Sequence, residues 1–214
     1  MVGNDVVDLG DREAQPESRH PRFDRRVFTG GEHRLIETSR CPNQMRWMLW
    51  ACKESAFKLV KRQDRATVFS PRAFEVAMVS SGSAQVRHQE REVCIRIMVG
   101  GDAIHAVATW KRDSTEKLIS AVGTAVSNPS GAVRDLARMH LARVFTCTPG
   151  DIEIVSGSDR IPQLRIGGMW PSGFISLSHH GRYVAFAFVQ YPSRPGAVGT
   201  EEFPAPPGSF CHLD

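Results

Sequence analysis

Three short segments carry side chains that could do chemistry together. The first is Trp50-Ala-Cys-Lys-Glu-Ser-Ala-Phe-Lys58. Helical spacing stacks Trp50, Glu54 and Lys58 at i, i+4 and i+8, on a stripe shared with Trp47 and Ala51. An exposed Glu–Lys pair at that spacing is common and adds only tenths of a kcal/mol. Two tryptophans on the stripe argue against full exposure, and a carboxylate drawn among them costs several kcal/mol unless a metal or partner neutralises it. The second segment is Gly3-Asn-Asp5-Val-Val-Asp8. On a strand Asp5 and Val7 point one way and Val6 and Asp8 the other, so one of the two acids enters a shared site. Taken alone, Asp5 reads as the end of a turn after Gly3. Paired with Glu54 it makes a sparse oxygen site, the kind magnesium uses when substrate phosphates and water complete its octahedron. The third segment is Ile175-Ser-Leu-Ser178-His179-His180-Gly181, where Ser176 and Ser178 share one strand face and His179 stands at the strand end. Hydroxyl and imidazole suit an anion. The two histidines also read as metal ligands, and Ser178 with His179 as a nucleophile and base, although no G-x-S-x-G elbow accompanies them.

The elements that must position these residues follow from periodicity. Strand-like alternation runs from Val2 to Leu9, a helix covers about residues 44–62, and strands follow near 74–79, 92–99 and 103–110. A second series begins with a β-branched and small-residue run over 118–126. Asn128-Pro129 then reads as an N-cap with proline in the first helical position. Val133, Leu136, Ala137, Leu141, Val144 and Phe145 recur at helical spacing, leaving Arg134 and Arg138 on another face. Strands are expected at 152–155, 174–177 and 183–189. The two series end alike, in Ile104-His-Ala-Val-Ala-Thr-Trp110 and Tyr183-Val-Ala-Phe-Ala-Phe-Val189, a weak sign of internal duplication. Beyond about residue 191 the chain is too rich in proline and glycine to pack, and a flexible tail is expected.

The chain has 214 residues, 41% of them hydrophobic and 23% charged, which suffices for one large domain or two small ones. Its five cysteines are scattered without a C-x-x-C pair, so neither a disulfide framework nor a zinc site is indicated. The first residues include acids and lack a basic segment followed by an apolar run, and no apolar stretch reaches membrane-spanning length. The expected setting is a reducing cytoplasm, without membrane insertion. The net charge of +4 is fed by Arg12, Arg19, Arg22, Arg25, Arg26 and Arg34. Such a surface attracts polyanions, but no nucleic-acid-binding signature accompanies it, so an acidic protein or a phosphorylated small molecule fits better than nucleic acid.

Together the three segments resemble the 4'-phosphopantetheinyl transferases, whose pattern is G-x-D, then W-x-x-K-E-x-x-x-K on a helix, then S-x-S-H at a strand end. Further stretches agree. Phe23-Asp-Arg-Arg-Val-Phe-Thr29 with Glu32 is similar to the F-x-x-R-V-F-T-x-x-E of the short holo-acyl-carrier-protein synthases. Asp159-Arg160-Ile-Pro162 resembles the loop before S-x-S-H, and Arg134 to Arg143 the paired-arginine helix of the surfactin-type enzymes. The resemblance touches most of residues 1–190.

It implies an α+β fold: a pseudo-dimer of two modules with antiparallel sheets and the active site in the cleft between them. Here the acid half leads and the histidine half follows, the reverse of the surfactin type, so the chain reads as two fused modules in swapped order, able to hold a whole site as a monomer. The modules are residues 1–112 for metal binding and catalysis, 113–190 for coenzyme A, and 191–214 as tail. The implied reaction moves phosphopantetheine from coenzyme A to a serine of an apo acyl or peptidyl carrier protein, serving fatty acid, polyketide or nonribosomal peptide synthesis. Asp5 and Glu54 hold Mg2+, Glu54 acts as base, and Lys58 contacts phosphate in the transition state. Lys53 is a further phosphate contact, Arg134, Arg160, Ser178 and His179 bind the nucleotide phosphates, and Arg12, Arg19, Arg22, Arg25 and Arg26 dock the carrier. Val7 stands where the surfactin type has a third acid, which implies two protein ligands to the ion. His180 follows S-x-S-H where serine or threonine is usual, and Asp135 replaces a phosphate-binding threonine. A catalytically silent coenzyme A-binding module and a metal-dependent phosphohydrolase are the alternatives. The whole reading requires the carboxylates of Asp5 and Glu54 to meet, facing His179.

Overall fold

A computed structural model describes residues 1–110, 117–157, 161–171 and 173–191 of the chain. Arg160 and the segment 192–214 expected as a tail lie outside the described residues. The first strand, β1 (Val2–Asp8), is followed by two short helices, α1 (Phe23–Val27) and α2 (Gly30–Thr38), and by the long helix α3 (Pro42–Gln63). Four strands come next, β2 (Glu75–Ser80), β3 (Ser83–His88), β4 (Arg91–Gly100) and β5 (Ala103–Thr109). They form an antiparallel meander that β1 joins at one edge, giving the order β1-β5-β4-β3-β2. The remaining elements are β6 (Lys117–Thr124), α4 (Pro129–Phe145), β7 (Ile152–Ser156), β8 (Pro162–Ile166), β9 (Gly173–His180) and β10 (Tyr183–Gln190). Here β6, β10 and β9 make a three-stranded antiparallel sheet, and β7 pairs with β8. In each large sheet the strand that precedes the long helix pairs with the last strand of its series, β1 with β5 and β6 with β10. The fold is α+β with antiparallel sheets, as expected.

Helix α3 packs on the first sheet through Leu49, Cys52, Ala56, Leu59 and Val60, all buried in one core with Ile104, Ala106 and Ala108. The approach to β1 is close. A Cβ on Gly3 would lie 2.1 Å from the Ser55 carbonyl oxygen, so the glycine before Asn-Asp is fixed by the backbone of α3. Helix α4 covers the second sheet with Val133, Ala137 and Leu141 against Ile175, Val184, Phe186 and Phe188. Its start matches the sequence expectation, with Pro129 at the first turn and the Asn128 side chain accepting from the Gly131 N–H.

The two sheets meet along β1. Val2 and Val107 from the first sheet pack on Ala187 and Val189 from the second. Ser178 pairs with Ala185 and Ser176 with Ala187 in the β9–β10 ladder, so the second sheet turns small side chains toward β1. No helix among the described residues is long and apolar enough to cross a membrane.

Candidate active site

Alternation along β1 sends Gly3, Asp5 and Val7 toward α3 and Asn4, Val6 and Asp8 toward the second sheet. Asp5 thereby meets the exposed-going stripe of α3. The Lys58 ammonium donates to Asp5 Oδ1 at 2.8 Å and to the Asn4 carbonyl at 3.0 Å. Glu54, one turn earlier, is partly buried beside them. Burial pushes its carboxyl up to about 7, the neighbouring Asp5 charge adds to the rise, and Lys58 opposes it. Two carboxylates crowded in a partly desolvated site against a single ammonium form an oxygen-only donor set short of positive charge. That chemistry suits a hard divalent cation.

Lys53 is corrected by the structure. Its side chain is wholly buried and turns away from Glu54 to donate to Glu32 Oε1 at 2.7 Å and to the carbonyls of Phe74 and Pro71 at 2.6 and 3.0 Å. Burial lowers its pKa and Glu32 works against that shift. Glu32 in turn accepts from the N–H groups of Thr29 and Val76, and the Thr29 hydroxyl caps α2 in a capping box. The lysine of the nonapeptide therefore serves the fold, joined to the Thr29-x-x-Glu32 capping box of α2, and has no donor left for phosphate.

The third segment also divides differently from expectation. On β9 the residues facing β1 are Ser176, Ser178 and His180. Ser178 is corrected: its hydroxyl is buried and accepts from Asn4 Nδ2 at 2.9 Å, so it is not placed to meet a phosphate. Ser176 Oγ accepts from the Asn4 backbone N–H at 3.1 Å. His179 lies on the opposite face, exposed, on the side that α4 covers, so the imidazole turned toward β1 is that of His180. His180 Nδ1 accepts from the Asp8 N–H at 3.0 Å. Asp11 and Glu13 gather near this ring, with one potential ligand atom from each of the three residues within 4.8 Å of the others. With Nδ1 accepting from the Asp8 N–H, Nε2 is the ring nitrogen left to face a proton or an ion beside the two acids.

Asp8 does not join Asp5. It is buried on the other face, where it accepts from the N–H groups of Gly10 and Arg182 at 2.9 and 3.1 Å and pairs with Arg182 Nε at 3.3 Å, fixing the β9–β10 turn. Arg134 of α4 donates to its own helix at Ser130 O, 2.7 Å away, and reaches Ser156 Oγ at 3.5 Å, while Asp135 is spent on Arg138 at 2.8 Å. Of the five docking arginines, Arg12, Arg22, Arg25 and Arg26 are exposed. Arg19 is partly buried and shares Asp24 with Arg46, whose fork binds that carboxylate at 2.8 and 3.0 Å.

Sequence reasoning passed over Asn4, His105, Arg62 and Arg182. Asn4 had a signal, an amide between Val2 and Val6 on one face of β1. His105 is buried, its Nε2 is 3.2 Å from Asn4 Nδ2, and burial, then the Lys58 charge, lower its pKa to about 4. Arg62 at the end of α3 donates to the Ile175 carbonyl across the sheet boundary.

A profile of the 4'-phosphopantetheinyl transferase superfamily matches residues 1–108. That match spans the five-stranded sheet, α3, Asp5, Glu54 and Lys58. No curated protein matches the chain. Among solved structures it is similar to the holo-[acyl-carrier-protein] synthase of Thermotoga maritima, with 15% identity over 79% of this chain and 84% of that one and a TM-score of 0.40.

Proposed function

Because this chain belongs to the 4'-phosphopantetheinyl transferase superfamily, we propose that it transfers phosphopantetheine from coenzyme A to a serine of an apo acyl or peptidyl carrier protein, with release of 3',5'-ADP. The observation that carries the reading is the meeting of Asp5, Glu54 and Lys58 on one side of β1, with Glu54 held near neutrality. Asp5 and Glu54 hold Mg2+, which when bound supplies charge to the pyrophosphate oxygens and shields them from the incoming hydroxyl. Glu54 accepts the carrier serine proton, directly or through a water, and its raised pKa suits that task near pH 7. Lys58, already oriented by Asp5 and the Asn4 carbonyl, neutralises phosphate oxygens as the bond to the leaving nucleotide breaks. His179 and Arg134, both on the α4 side of the second sheet, are offered as nucleotide phosphate contacts, and Arg160 joins them on the strength of its motif alone. The division into a catalytic module over 1–112 and a coenzyme A module over 113–190, fused in one chain, is part of the same proposal, as is a cytoplasmic setting.

The test is to incubate the protein with magnesium, coenzyme A and an apo-carrier and to weigh the carrier. A mass gain of one phosphopantetheine is expected. Phosphate release without that gain indicates a phosphohydrolase, and coenzyme A binding without either indicates a silent module; both outcomes reject transfer.

Arg12, Arg22, Arg25 and Arg26 are exposed, the last three in or beside α1, and form the proposed carrier dock. Exposed charges are screened beyond roughly 10 Å at 0.1 M salt. Raising ionic strength is therefore expected to increase the KM for the carrier while leaving that for coenzyme A nearly unchanged. A carrier KM indifferent to salt removes the dock from these arginines.

A further inference from the structure

We infer that Asn4 is a positioning residue that pins β1 to β9 and so sets Lys58 and Asp5 in register with the second sheet; the inference rests on the transfer reading above. β1 is the edge strand of its sheet, paired on one side with β5. An unpaired edge leaves backbone donors and acceptors that need partners. Here side chains supply them. The Asn4 N–H donates to Ser176 Oγ, the Asn4 carbonyl accepts from Lys58, and further along the strand the Asp8 N–H donates to His180.

The side chain of Asn4 completes the joint. One amide hydrogen goes to Ser178 Oγ at 2.9 Å, and the other faces His105 Nε2 at 3.2 Å, which accepts because burial keeps that ring neutral. Both hydrogens of the amide are thus directed, while its Oδ1 is buried without a hydrogen-bond partner among the described residues. One residue touches all three chemistry-bearing segments: it precedes Asp5, carries the carbonyl that holds Lys58, and binds both serines of Ser176-Leu-Ser178. Three links run from β9 to Asp5, namely Ser178 to the Asn4 amide, the Asn4 carbonyl to Lys58, and Lys58 to Asp5 Oδ1. Asn4 and Ser178 are both buried, so removing one partner leaves the other's polar group away from bulk water.

The experiment uses the full chain with Asn4→Ala, Ser178→Ala and the double variant, read by amide hydrogen exchange and by steady-state kinetics. Exchange at the Asn4 and Asp8 amides is expected to quicken in each variant by about tenfold, while amides of β5 paired with β4 keep their wild-type rates. With coenzyme A and apo-carrier, kcat is expected to fall roughly tenfold to hundredfold, as small misplacements of catalytic groups do. The KM for coenzyme A should stay within about twofold, and the double variant should be no worse than the poorer single one. If Asn4→Ala does not fold, Ser178→Ala removes the same bond from the other strand and decides the matter. Unchanged kcat, losses that multiply in the double variant, or a raised KM for coenzyme A with intact kcat each overturn the inference, the last by returning Ser178 to the nucleotide. The exchange measurement needs no turnover. A wild-type protein that transfers nothing therefore rejects the functional reading, and the pin then stands or falls on exchange alone.

Discussion

Replacing Glu54 with glutamine is expected to lower kcat for carrier modification by about a hundredfold to ten-thousandfold, the usual worth of a positioned general base. The substitution keeps shape and removes both the proton acceptor and one of the two carboxylates offered to the cation. It has a second signature that does not depend on turnover. The Glu54 carboxyl lies at about 7 against an ordinary 4.5, raised first by burial and then by Asp5. A pKa raised in the folded state favours the protonated form there. The stabilisation that the protonated group contributes is complete below about 4.5 and is lost as pH rises through about 7. In chelator, Glu54→Gln should therefore match the wild type in thermal unfolding near pH 4.5 and exceed it at pH 8, by on the order of 2–3 kcal/mol. Magnesium should reverse the comparison at pH 8, since a ligand that binds only the folded state stabilises it by mass action and the variant lacks half of the carboxylate pair. Near-normal turnover by the variant removes Glu54 from the mechanism. A stability difference that does not change between pH 4.5 and 8 contradicts the crowded, desolvated environment assigned to it.

Lys53→Met, a change at the neighbouring residue, is expected to act on the fold and not on the chemistry. Removing one partner of a buried ion pair costs about 3–5 kcal/mol because the other charge stays buried without compensation. Here the loss also strips the Phe74 and Pro71 carbonyls of their donor. Denaturant unfolding should show a lower midpoint with an unchanged slope. Adding Glu32→Gln should recover part of the loss, since a neutral amide keeps an oxygen for the Val76 N–H and relieves the stranded charge. Transfer measured at a temperature where the variant is folded should keep a kcat close to wild type. A Lys53→Met protein of native stability and greatly reduced kcat would instead return Lys53 to the phosphates.

These two adjacent residues show how far a linear reading reaches. Helical spacing alone placed Glu54 and Lys58 on one stripe with Trp47, Trp50 and Ala51, and the long apolar period of α3 made that element legible to within two residues at either end. Asn128-Pro129 announced the start of α4 because capping is a local hydrogen-bond problem solved within four residues. The strands β1, β4, β5, β9 and β10 were visible from their apolar runs. α1 and α2 were not, being short and rich in charge, and neither was β3, where only Ala84 and Val86 are apolar and buried on one face.

The amino-acid sequence by itself determined the local elements, the face on which each side chain emerges, and the two motifs that carry Asp5, Glu54 and Lys58. Tertiary structure alone decided which neighbour each face would meet. Lys53 turned to Glu32 because α2 folds back over α3. Ser178 was taken by the Asn4 side chain, and Ser176 by the Asn4 N–H, because β9 packs its serine face on the unpaired edge of β1. His180 rather than His179 came to face β1, since a pleat sends adjacent residues to opposite sides and only the packing of the second sheet chooses between them. Periodicity is a property of a few consecutive residues, whereas the pairing of buried polar groups joins segments 21 residues apart at Lys53–Glu32 and 174 apart at Asn4–Ser178.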